Sequence, residues 1–152
     1  MAKNHKAVVT GFTVMELLVV IVILGILAGM AGPAVSRIVR HQRVNRAAMV
    51  ITADLQNAFA VAARQREPVR IQADANSRSY QFIDRKSGSV LRIRTFYGDT
   101  SEYRLSSLVF QPATLDVFPS GISSAPVTIS LANGDYSKTI TASTAGFIRV
   151  SH

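Results

Sequence analysis

Cysteine is absent from the chain, which excludes disulfides, thiolate metal sites and cysteine nucleophiles. Histidine is scarce: His5, His41 and His152 are the three present. No His-Glu-x-x-His, no Gly-x-Ser-x-Gly and no phosphate-cradling glycine loop occurs. Acid is also in short supply. Nine Asp and Glu face 17 Lys and Arg, for a formal charge of +8. The carboxylates fall singly in stretches that read as turns and loops, where solvated acids belong. These absences leave no expected enzyme activity, no cofactor and no metal site. The cationic surplus favours anionic partners, whether lipid headgroups, nucleic acid or acidic protein faces, without choosing among them.

The sharpest local shortage is of charge. Residues 17–35 run 19 positions without a charged side chain, inside Gly11-Phe12-Thr13-Val14-Met15-Glu16 and the apolar stretch that follows. At about 1.5 Å per residue such a helix is roughly 28 Å long, close to the thickness of a bilayer's hydrocarbon core. Glu16 is the polar intruder, and a carboxylate at the edge of hydrocarbon needs a cationic partner. Cutting the chain before Phe12 would create one, an α-amino group one helical turn away. Two other readings stand beside this. An ordinary secretory signal peptide has a basic start and an apolar middle, and Gly29-Met30-Ala31 imitates its cleavage site; Glu16 and the length of the run argue against it. An uncut single-span anchor is the third reading. Gly25 and Gly29 form a Gly-x-x-x-Gly pair that lets helix backbones approach closely. Gly32-Pro33 is expected to bend or loosen the helix, since proline removes a backbone bond.

Lys3, Lys6, the Gly11-Phe12-Thr13-Val14-Met15-Glu16 motif and the long apolar run resemble the leader of type IV pilins and type II secretion pseudopilins. The resemblance implies cleavage after Gly11 by prepilin peptidase, N-methylation of Phe12 and a role for Glu16 in subunit assembly with other pilins or pseudopilins. It divides the chain into a leader at 1–11, a transmembrane and filament-core helix at 12–35, and a periplasmic α+β head at 36–152. Localisation follows as single-pass in the inner membrane, in contact with its lipid, and then in a pilus or pseudopilus. Without Lys3 and Lys6 the mature chain keeps a formal charge of +6. A charge count opposes that orientation: Arg37, Arg40, Arg43 and Arg46 follow the run, outweigh the leader's lysines, and would hold the C-terminal part in the cytoplasm.

Those four arginines recur every third residue and read as a basic stripe just outside the membrane, touching lipid phosphates. Beyond them Ile38, Ile51, Leu55, Ala58, Phe59 and Ala62 fall largely on helical spacing, so the helix is extended to Arg66 and stopped by Glu67-Pro68. Short runs of branched and aromatic residues then predict strands at 69–73, 80–83 and 90–97, with a turn over 84–88. Weaker candidates lie at 103–105, 108–110 and 115–118. A hairpin follows around Asn133-Gly134, between 127–131 and 138–142, and a last strand covers 147–150. Tyr80, Phe82, Phe96, Phe110 and Phe147 read as core. The fold class is α+β, a long N-terminal helix packed on a C-terminal antiparallel sheet.

Phe118-Pro119-Ser120-Gly121, the Asn133-Gly134 hairpin and the terminal Gly146-Phe147-Ile148-Arg149-Val150 resemble the GspH/FimT group of minor pseudopilins. That resemblance implies a minor structural subunit of a type II secretion pseudopilus or a type IV pilus. The alternative is a DNA-binding minor pilin of DNA uptake, in which a terminal Gly-Arg-x-Arg contributes to binding. Here Phe147 stands in place of the first arginine and Arg149 remains. With Arg37, Arg40, Arg43 and Arg46 it makes up the candidate anion or DNA contacts.

Overall fold

The computed structural model describes residues 11–98 and 101–151, and the side chains of all of these except 30–34. Apart from Gly11, the expected leader lies outside the described residues, as do the side chains at Gly32 and Pro33. The chain divides into two units, Met1–Arg37 and Ile38–His152.

Helix α1 (Val14–Gln65) supplies the described secondary structure of the first unit and the spine of the second. In the first unit it packs on nothing. The large hydrophobic side chains from Phe12 to Leu27 are all exposed, from 44% at Val19 to 89% at Phe12. A helix that is apolar on every side offers no single face to its own chain. The single pass through the inner membrane is overturned. Among the described residues no helix is long and apolar enough to cross a membrane.

In the second unit α1 is one-sided. Val44, Ala47, Ile51, Leu55, Ala58 and Ala62 are buried at helical spacing, whereas Ile38 is exposed. The helix ends one residue before the expected Arg66. Arg66 itself takes a left-handed φ of 57°, and Pro68 could not continue the helix.

Eight strands follow: β1 (Val69–Asp74), β2 (Ser79–Asp84), β3 (Val90–Thr95), β4 (Ser107–Gln111), β5 (Thr114–Val117), β6 (Val127–Asn133), β7 (Tyr136–Ala142) and β8 (Ile148–Ser151). They form two four-stranded antiparallel sheets, sheet A in the order β3-β2-β1-β5 and sheet B in the order β4-β6-β7-β8. The expected helix on antiparallel sheet is present, with the sheet split in two. The split follows from β5, which leaves β4 and returns to pair with β1. No strand forms at 103–105, but Leu105 is buried and its N–H donates to the Phe96 carbonyl at 2.9 Å.

One hydrophobic cluster joins α1 to both sheets. Tyr80, Phe82, Leu115 and Val117 enter it from sheet A, and Phe110, Ile129, Leu131 and Ile140 from sheet B. The clean alternation of Val127, Ile129 and Leu131 is a strand with one face inside. Asn133 pairs with Tyr136, which leaves Gly134 and Asp135 as the two-residue turn. Gly134 takes φ 64°, a conformation that suits glycine.

Leu55 is 2% exposed at the centre of the helix–sheet contact. Leu55→Ala is expected to destabilise the chain by about 2–5 kcal/mol. Gln56→Ala, on the exposed side of the same turn, should stay within about 0.5 kcal/mol. Urea titration of the two full-length variants, followed by circular dichroism, checks the contrast.

Candidate assembly site

Asp54 lies on the buried side of α1 and is 3% exposed, in contrast to the solvated aspartates expected in turns and loops. An ionised carboxylate in that position requires full compensation. The Tyr80 hydroxyl donates to Oδ2 at 2.8 Å. Arg92 Nη1 donates to Oδ1 at 2.8 Å. Arg94 donates through Nε to Oδ2 at 2.7 Å and through Nη2 to Oδ1 at 3.3 Å. These four bonds fill the acceptor positions of the carboxylate. Tyr80 belongs to β2, and both arginines belong to β3, the edge strand of sheet A. Burial pushes the Asp54 pKa upward. The Arg94 and Tyr80 hydrogen bonds and the two guanidinium charges outweigh that, leaving it below the ordinary 3.8. Burial, and then Asp54, pushes the Tyr80 phenol up.

A second anchor ties α1 to sheet B. Arg40 Nε lies 3.5 Å from Asp135 in the β6–β7 turn. His41 stacks on Tyr136 with ring centroids 3.9 Å apart, and the Tyr136 hydroxyl donates to Asn45 Oδ1 at 3.3 Å. The expected stripe of arginines is therefore not one stripe. Three residues turn a helix by 300°, so successive arginines fall back about 60° round the axis. Arg40 turns to the hairpin, Arg43 is half-buried, and Arg46 and Arg37 are exposed.

In the first unit Thr13 and Glu16 close a local ring. The Glu16 amide donates to Thr13 Oγ1 at 3.2 Å. The Thr13 amide and hydroxyl donate to Glu16 Oε2 at 2.9 and 3.1 Å. This is a capping box, Thr-x-x-Glu, which satisfies amides at the helix start that have no partner within the helix. The pattern was legible in Thr13-Val14-Met15-Glu16 but was not drawn from the sequence. Phe12 stands free beside it, and a Cβ added at Gly25 or Gly29 would meet nothing within 4 Å. The helix surface around that glycine pair is thus uncovered.

At the other end of the chain Phe147 is 79% exposed and is not core. Gly146 takes φ 78° against the Phe59 ring, and Ser143 and Phe147 close the turn through their backbones. Val150 pairs with the buried Ile140, and Arg149 with the exposed Thr141. Val150 therefore faces α1, and Arg149 projects from the opposite face of sheet B. Within the second unit, sheet B separates Arg149 from Arg40, Arg43 and Arg46, so these candidate DNA contacts do not form one surface.

No family model and no curated protein sequence matches the chain. Solved structures do. The type IV minor pilin FimU of Pseudomonas aeruginosa aligns with TM-score 0.58 and 23% identity, over 73% of this chain and 90% of that one. A second crystal form of FimU gives TM-score 0.55 and 22% identity, over 71% and 92%. The minor pseudopilin EpsH from the type 2 secretion system of Vibrio cholerae gives TM-score 0.54 and 19% identity, over 72% and 96%. The fold is pilin-like. In this pilin-like head the Asp54 cluster fastens an edge strand to the helical spine.

Replacing Asp54 by Asn leaves two guanidinium groups facing a neutral amide. The expected loss near neutral pH is about 2–4 kcal/mol, less than for a wholly buried pair because both arginines keep contact with water. A carboxyl lowered by folding stabilises above its unfolded pKa, near 3.8, and that contribution disappears as pH falls through the folded value. Urea titrations between pH 2 and 7 should therefore show a shallower acid limb for Asp54→Asn. A residual slope should remain from Asp116, lowered chiefly by its hydrogen bond from Arg70.

Proposed function

We propose that the chain is a minor structural subunit of a pilus-type filament, either a type IV pilus or a type II secretion pseudopilus. One observation carries this reading: a pilin-like head continues from a helix whose apolar side chains find no cover in their own chain. Surface of that kind is stable only when other apolar surface excludes water from it, at about 25 cal/mol per Å² buried. Helices of other pilins or pseudopilins would supply it. The small residues Gly25 and Gly29 would allow close backbone approach. The role is assembly rather than catalysis.

In this reading prepilin peptidase cuts after Gly11, Phe12 becomes the methylated N-terminus, and its amine stands near the Glu16 carboxylate of a neighbour. Charge neutralisation makes burial of that acid tolerable. The capping box gives Glu16 a second role within its own helix, and the two roles make different demands. Assembly needs the carboxylate charge, while capping needs the Thr13 hydroxyl as well. A DNA-capturing subunit is the weaker reading, because Arg149 lies on the opposite face of sheet B from Arg40, Arg43 and Arg46.

Intact-mass measurement of the protein recovered from filaments should find a chain that begins at methylated Phe12. A chain that retains Met1, or one that starts at Ala31, contradicts the processing. Glu16→Ala should leave processing intact and reduce incorporation into sheared filaments at least tenfold. Thr13→Ala, which removes the cap and keeps the charge, should reduce it less than threefold. Equal losses in the two variants would assign Glu16 to capping alone.

A further inference from the structure

The outward face of α1 in the second unit has an unusual composition. Ile38, Gln42, Asn45, Met49, Ala53 and Gln56 follow one another at helical spacing on the side away from the core, with Arg46 at the margin and no carboxylate among them. A helix face left in water ordinarily carries charge. Here Met49 is 71% exposed at the middle of the stripe. Beside it a groove of about 590 Å³ opens between α1 and sheet B, lined by Met49, Ala53, Thr52, Val150 and Lys138 among others. Thr52 Oγ1, in the wall of this groove, has no hydrogen-bond partner. A buried hydroxyl without a partner is costly, because it has lost its water and gained nothing in return.

Charge selects the occupant. Lys138 lines the groove, and the exposed Arg46 lies one turn from Met49 on α1; neither forms a salt bridge among the described residues. A second copy of this chain could offer them little. Among the described residues its Asp54, Glu67, Asp116 and Asp135 are held in ion pairs, its Asp74 and Asp84 hold turns and its Glu16 a helix cap, which leaves the single exposed Glu102 against two cations. Two copies would also bring together like surpluses of positive charge. Nucleic acid would meet the cations but has no use for a floor of Met49, Ala53 and Val150. We propose that this groove seats a segment of a different subunit, apolar on the face it turns to Met49 and carrying carboxylates that meet Arg46 and Lys138. The inference rests on the filament reading above and adds to it that contact at this face is between unlike chains.

The test uses the full-length chain in cells that assemble the filament, with photoreactive benzoylphenylalanine in place of Met49 or, separately, of Ala53. The joined peptides are identified by mass spectrometry. The expected result is a link to one site on a different chain, with Asp or Glu within about one helical turn of it. Arg46→Glu combined with Lys138→Glu should weaken that link at least tenfold, and replacing the partner's carboxylates by lysine should restore it. A link to a second copy, to nucleic acid, to a segment without carboxylates, or to nothing at either position overturns the proposal. Sheared filaments are probed in parallel. A chain present in them with only self-links defeats this inference and leaves the filament reading standing. A chain absent from them that still links to an acidic site on another protein defeats the filament reading and leaves this one.

Discussion

The head depends on one buried negative charge. Asp54 sits where an amphipathic helix would ordinarily place an alanine or leucine, and it holds two arginines and a tyrosine from sheet A. The inner side of β3 carries Arg92 and Arg94 in place of apolar residues, opposite Phe82 and Tyr80 of β2. Hydrophobic burial alone would hold that edge strand weakly. The carboxylate gives it a directional attachment, because three hydrogen bonds from Arg92 and Arg94 fix both the register of β3 and its distance from the helix. Such a cluster adds less net stability than its bond count suggests, since three charged groups lose hydration to form it. Its effect is to make one placement of the edge strand far better than its neighbours. A slip of β3 by one residue would turn Leu91 and Ile93 toward Asp54 and leave the acid unpaired.

Much of this architecture was legible in the residues. Alternation along Val127-Thr128-Ile129-Ser130-Leu131 and the glycine of the following turn located β6, β7 and their hairpin. The proline at 68 ended the helix, and the Asp84-Arg85-Lys86-Ser87-Gly88 turn separated β2 from β3. What failed had physical causes. Spacing of three was read as a stripe, although it precesses round a helix and parts Arg40 from Arg46. Phe147 was counted as core because it is large and apolar, although alternation with Ile148 already put it on the other face. Asp54 shares the phase of Ile51 and Ala58, and Arg92-x-Arg94 shares the phase of a strand's inner face. Each signal is weak alone, and only their meeting in space, across 38 and 40 residues of chain, makes them a site. The split into two sheets depends on β5 returning to β1, a long-range choice that local pattern does not encode.

The two units differ in what they leave unsatisfied. Residues 38–152 bury a continuous core and pair their inner charges, so their folding is accounted for within the chain. The described part of the first unit has a satisfied backbone and an unsatisfied surface: its helix is capped, yet its side chains are apolar all round. Helix propensity and capping contribute about 1–2 kcal/mol to a terminus. Each large side chain buried by a neighbour contributes a comparable amount again. Twelve such residues lie between Val14 and Leu27, so association of the proposed kind would outweigh any local term as the source of order there.

Glu16 shows how that balance can direct assembly. In the isolated chain its carboxylate accepts from the amide and hydroxyl of Thr13, at an exposed site where water competes for the same bonds. Within a proposed filament core, water is excluded and an ammonium group stands close. There a charge-assisted pair outweighs the cap, because the alternative is an acid buried without a counter-charge. The same carboxylate would then keep the free helix end ordered and make burial costly until the right partner arrives. A leucine in its place would bury readily against any apolar surface. On the proposed reading the acid would make association conditional on a positive chain end, and selectivity would come from the cost of burying charge rather than from added attraction.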